Sequence, residues 1–159
     1  MLKAERDLTM KKGTVILSLL TGLVLFTHIQ TAQARDALSL ADSCIGRLNG
    51  LADGFDAYAQ DQASGCVADI EKLLAGGDVD RADILAQRCI TSIRRTRQRT
   101  LNHLNRMCNS CEATLRDMGE VELAQQVRDV CRENISRVMQ AGDDAIAAIN
   151  AALAGGAAG

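Results

Sequence analysis

Proline and tryptophan are absent from this 159-residue sequence, and Phe26, Phe55 and Tyr58 are its only aromatic residues. β-Branched residues are sparse, while alanine and leucine are abundant. That composition favours helix over sheet. A core with few rings must be filled by Leu, Ile, Val and Ala. Such a core is thin and calls for additional stabilisation.

Other absences narrow the chemistry. Beyond residue 34 there is one histidine, His103, so neither a Ser-His-Asp triad nor a multi-histidine zinc site can be assembled from ordinary ligands. No Gly-rich phosphate loop, nucleophile elbow or calcium loop occurs. Cys-x-x-Cys-His, which would mark covalent haem attachment, fails because Glu112 follows Cys111. No catalytic residue, metal site or cofactor is therefore expected, and the chain reads as a non-enzyme.

The N-terminus carries an export address. Lys11-Lys12 is a positive n-region, residues 15–27 form an apolar run, and Ala32-Gln33-Ala34 is a small-x-small cleavage motif. A signal peptide over residues 1–34, cleaved before Arg35, is expected, with Met10 as an alternative start. The apolar run is short for a membrane span of about 20 residues, and no cysteine stands at the cleavage point for lipidation. Export to the periplasm or the medium follows, with no stable membrane insertion after cleavage.

From Arg35 onward there are 14 Lys+Arg and 18 Asp+Glu, a net charge of −4, with Lys72 the only lysine. A mildly acidic domain is a poor nucleic-acid binder. The expected partner is a protein, in the envelope or outside the cell; the oligomeric state is not readable.

All six cysteines, Cys44, Cys66, Cys89, Cys108, Cys111 and Cys131, lie in this exported part. An even count behind a signal peptide reads as three disulfides. Apolar residues recur at spacings of three and four along three stretches, each long enough for a helix of about 33–40 residues. Gly76-Gly77-Asp78 and Gly119-Glu120 separate them as glycine stops, with Asp78 as an N-cap candidate and acids in the following first turn. Short links make neighbouring helices antiparallel. The expected fold is all-α: an antiparallel bundle of three long helices, disulfide-stapled, over residues 35–153. A flexible Ala/Gly tail follows at 154–159. Gly50, Gly54 and Gly65 leave the continuity of the first helix open.

In an antiparallel hairpin, residues at equal height have numbers with a constant sum. Cys66 with Cys89, and Cys44 with Cys111, both give 155, centred on the Gly-Gly-Asp turn; Cys108 with Cys131 gives 239, centred at Gly119. The predicted bridges are therefore Cys44–Cys111, Cys66–Cys89 and Cys108–Cys131. Each contributes about 2–4 kcal/mol by restricting the unfolded chain.

Three features remain as candidate sites. Arg88, Arg95, Arg99 and Arg106 form one stripe on the second helix, spaced seven, four and seven. They read either as a docking surface for an acidic partner or anionic envelope polymer, or as interhelical ion pairs. The register sum favours ion pairs, matching Arg99 with Asp56, Arg95 with Asp61, Arg88 with Asp69, Arg94 with Asp144 and Arg97 with Asp143. Cys108-Asn109-Ser110-Cys111 has the form of a thiol–disulfide redox centre, although it falls late in a helix rather than at a helix N-terminus, where a thiolate is stabilised. His103, Met107 and the cysteines form a potential soft-metal cluster of copper type, provided that the thiols are free. The leading expectation is a non-catalytic binding or scaffolding protein of the cell envelope, acting through one helix face. An inhibitor, an immunity protein and a secretion-assembly component all fit that description.

Overall fold

The computed structural model describes residues 3–156, with side chains for residues 34–155. Three helices follow in order: α1 Lys3–Ala75, α2 Val79–Asp117 and α3 Val121–Gly156. The chain divides into two compact units, Met1–Ser39 and Leu40–Gly159. The second unit contains the bundle.

α1 is longer than the sequence suggested. It continues without a break through Ala34-Arg35 into the apolar segment, where no proline stops it. The expected signal peptide falls almost wholly on residues 1–33, whose side chains lie outside those described. The expected tail begins at residue 154 inside α3, which runs to Gly156. The remaining tail residues lie outside the described part. Gly50, Gly54 and Gly65 do not interrupt α1.

The two hairpin turns have the same local structure. Gly77 and Gly119 are the only described residues with positive φ, at 79° and 83°. A left-handed residue there lets the chain leave the helix while the last carbonyls stay bonded. Asp78 N–H donates to Leu73 C=O at 2.9 Å, and Glu120 N–H donates to Leu115 C=O at 2.9 Å. Gly77 N–H reaches Leu74 C=O, and Gly119 N–H reaches Arg116 C=O, both also at 2.9 Å. The repeat extends outward: Cys66, Leu73, Gly77, Val79, Ala82 and Cys89 recur 42 residues later as Cys108, Leu115, Gly119, Val121, Ala124 and Cys131. Asp78 occupies the N-cap of α2 but makes no side-chain cap bond; its carboxylate pairs with Arg81 at 3.0 Å instead.

All three expected disulfides form: Cys44–Cys111, Cys66–Cys89 and Cys108–Cys131, with Cα–Cα distances of 6.3, 6.4 and 6.0 Å. Two of them join α1 to α2 and one joins α2 to α3. α1 and α3, which run parallel, have no bridge. Polar contacts register them instead: Asn134 Nδ2 donates to Asn49 Oδ1 at 2.8 Å, and Arg137 Nη2 donates to Asp53 Oδ1 at 2.6 Å.

The core holds Leu48, Phe55 and Ile70 of α1, Ile93, Leu104 and Leu115 of α2, and Val127, Val138 and Ile149 of α3. Each such side chain contributes about 1.5–3 kcal/mol on burial. Ala41, Ala52, Ala59, Ala82, Ala86 and Ala124 fill the spaces between them, each at most 1% exposed. Alanine at these positions lets the helix backbones approach closely, which suits a core without large rings. Tyr58 is half-buried, and its hydroxyl lies 2.9 Å from Ser92 Oγ and 3.3 Å from Thr96 Oγ1 on α2.

Candidate interaction surface

α2 differs in charge from its neighbours. Between Asp83 and Glu112 it contains Arg88, Arg94, Arg95, Arg97, Arg99 and Arg106 and no acid. α1 beyond residue 34 and α3 both carry more acids than bases.

The expected stripe is present. Arg88, Arg95, Arg99 and Arg106 are all exposed. At 3.6 residues per turn they fall within about 40° of one another. The buried residues of α2 (Ala86, Ile93, Leu104 and Leu115 among them) centre about 150° away around the helix. The arginines thus point away from the core rather than along its flanks.

That geometry corrects the ion-pair expectation. Of the five pairings suggested by height, only Arg97 with Asp143 occurs, at 2.5 Å. Arg88, Arg94, Arg95 and Arg99 form no salt bridge among the described residues, and neither does Arg106, whose Nε instead donates to the Asn102 carbonyl at 3.3 Å. Equal height along the axis does not bring side chains together when one points outward. A shallow depression on this face is lined by Ile84, Arg88, Thr91, Arg95 and Arg99. Ile84 is 50% exposed, an isolated apolar side chain in a guanidinium row.

Arg97 lies on the other side of α2 and is held in place. A Cβ on the buried Gly142 of α3 would approach Arg97 Cδ to 2.6 Å, so the glycine provides the space in which the arginine stem lies. The end of α2 carries a second fixed pair. Arg128 of α3 donates to both carboxylate oxygens of Glu112, and Arg116 reaches Glu112 at 2.8 Å. The Arg128 hydrogen bonds, reinforced by the charges of Arg116, Arg128 and Arg132, hold the Glu112 carboxyl below its usual range.

The other two candidate constellations lose their donors. Cys108 and Cys111 are bonded to Cys131 and Cys44 rather than to each other. The six cysteines are all in disulfides, so none offers a thiolate to a metal or to exchange chemistry. His103 is exposed and Met107 half-buried on α2. Among the described residues no group of three His, Cys, Asp or Glu side chains is placed to hold a metal ion.

Sequence reasoning missed Asn134, the buried polar residue of the core, at 1% exposure. Its signal was present. Val127, Cys131, Asn134 and Val138 follow the spacing of four, three and four that marks a core line.

Among known proteins, no family model, curated protein or solved structure matches the chain. Three disulfides mark an oxidising environment. No helix of the described residues is long and apolar enough to cross a membrane.

Proposed function

We propose that this is an exported, non-catalytic binding or scaffolding protein that docks a protein partner along the outward face of α2. The observation that carries the reading is the row Arg88, Arg95, Arg99 and Arg106, exposed and without a carboxylate partner among the described residues. Unpaired arginines cost little in solvent and offer planar, two-pronged donors to carboxylates. The row is borne on a helix cross-linked to both neighbours, so little ordering entropy opposes docking. Export is supported by the Lys11-Lys12, apolar-run and Ala32-Gln33-Ala34 pattern together with the three disulfides.

The test is in-cell cross-linking of the exported protein followed by affinity capture. The wild type and an Arg94→Glu control should retain the same cross-linked partner band. Arg88→Glu combined with Arg95→Glu and Arg99→Glu should lose it. Retention by the triple variant would remove the row as the docking face. N-terminal sequencing of the exported protein checks the address; it should begin at Arg35.

A further inference from the structure

We propose that the arginine row of α2 docks into an acidic groove between α1 and α3 of a second copy of this chain. The inference rests on the reading of α2 as a docking face and names the surface that the face recognises.

The groove lies within the bundle unit. Of three depressions, the middle one shares Asp56, Ala141 and Asp144 with one neighbour and Ala148 with the other, so they run in series along the α1–α3 seam from Glu133 to Gly155. Its floor is largely alanine, including Ala63, Ala145 and Ala152. Its rim carries Glu133, Asp56, Asp144 and Glu71. Arg137 is the single base of the groove and is already committed, to Asp53 at 2.6 Å and to Asn134 Oδ1 at 3.2 Å. Its guanidinium is held above its ordinary pKa by the Asp53 hydrogen bond and by the charges of Asp53, Asp56 and Glu133. The groove is thus net acidic around its one cation.

The spacing of the acids matches that of the arginines. α3 runs parallel to α1 with an offset of 84 to 85 residues, as the Asp53–Arg137 and Asn49–Asn134 contacts show. Glu133 therefore sits about seven residues below Asp56, and Asp144 about four above it. At 1.5 Å per residue these steps are about 10 Å and about 6 Å. Arg88, Arg95 and Arg99 are separated by the same seven and four residues, and so are Arg106, Arg99 and Arg95 in reverse. In either direction the fourth arginine comes about one helical turn from Glu71. The small floor residues leave room for arginine stems to lie along apolar surface while the guanidinium groups meet the rim.

Row and groove are different surfaces of one molecule. Their contact is heterologous and leaves a free row at one end and a free groove at the other, so it propagates. Sedimentation velocity on the oxidised protein, purified after expression of the full chain, tests this. At low salt the wild-type mass should rise with concentration. At about 1 M salt, where the Debye length is about 3 Å, it should return to monomer. The row variant (Arg88→Glu with Arg95→Glu and Arg99→Glu) and the groove variant (Asp56→Lys with Asp144→Lys) should each be monomeric. Mixed one to one, they should associate again, because the groove variant's arginine row meets the row variant's acidic groove, and the reversed row and reversed groove are themselves opposite in charge.

The milder Asp56→Asn with Asp144→Asn should weaken wild-type association by about tenfold with unchanged helicity, which guards against a folding defect in the lysine variant. A wild type that stays monomeric at low salt, a mixture that stays monomeric, or undiminished self-association of either charge-reversal variant would overturn the proposal. If the wild type is monomeric but its cross-linked partner is still lost in the row variant, the docking face stands and the second copy falls as its ligand.

Discussion

Asn134 of α3 donates to Asn49 of α1 across 85 residues of sequence, joining the two helices that no disulfide connects. Asn134 also donates to the Val130 carbonyl at 3.1 Å and accepts from Arg137, so each polar atom of the buried amide is satisfied. A satisfied polar group in an apolar core defines one register, because sliding α3 by a turn would strand it. Asn134→Ala should cost about 1–3 kcal/mol in chemical denaturation. Asn49→Ala should cost less, since Asn49 is exposed and water can replace it.

The glycines within the helices separate into two kinds. A Cβ at Gly50, Gly54 or Gly65 would meet nothing within 4 Å. Alanine at each should stabilise by about 0.5–1 kcal/mol through the unfolded chain alone. Gly142→Ala should give less or nothing, because the new methyl displaces the Arg97 stem and with it the Asp143 pair. Thermal melts of the four single variants provide the comparison.

The disulfides should differ in weight. Cys44–Cys111 spans 67 residues, whereas Cys66–Cys89 and Cys108–Cys131 each span 23. In the chain-entropy account the long bridge contributes about 4 kcal/mol and each short one about 3 kcal/mol. Paired alanine replacements, compared by denaturant midpoint, should show the largest loss for Cys44 with Cys111.

Acid should loosen the turn end of α2 and α3. The Glu112 carboxyl is held below its ordinary pKa, by the Arg128 hydrogen bonds first and then by neighbouring arginine charges. A lowered carboxyl pKa stabilises the fold above the unfolded value, and the contribution is lost as pH falls through the folded one. Stability should therefore decline below about pH 4.5. In Glu112→Gln that part of the decline should flatten, as read from denaturation at a series of acidic pH values.

The fold was largely legible in the sequence because few elements compete in it. Two glycine stops placed both turns, and the turn positions turned cysteine numbers into heights. The 22-residue steps from Cys44 to Cys66 and from Cys89 to Cys111 kept each pair on one helix face. The same arithmetic failed for the arginines, because a sum of residue numbers gives height and not direction around the axis. Arg97 found Asp143 because it faces α3; Arg95 and Arg99 face outward. The three-and-four apolar spacing along α1 likewise points to Ile45 as a core residue, whereas the helix turns Cys44 inward and leaves Ile45 half-buried. Glu112 with Arg128 was equally legible: their numbers sum to 240, as do those of Arg97 and Asp143, and both pairs join α2 to α3.

A non-reducing tryptic map tests the register on which the bundle and its outward arginine row depend. Cys108 and Cys111 fall in one peptide, residues 107–116, with no cleavage site between them. The account expects that peptide to be joined to both residues 36–47 and residues 129–132, and residues 48–72 to be joined to residues 89–94. Fragmentation between Asn109 and Ser110 should leave residues 129–132 on the Cys108 side and residues 36–47 on the Cys111 side. A Cys108–Cys111 bridge, the reverse assignment, or alkylated thiols in the exported protein would contradict it.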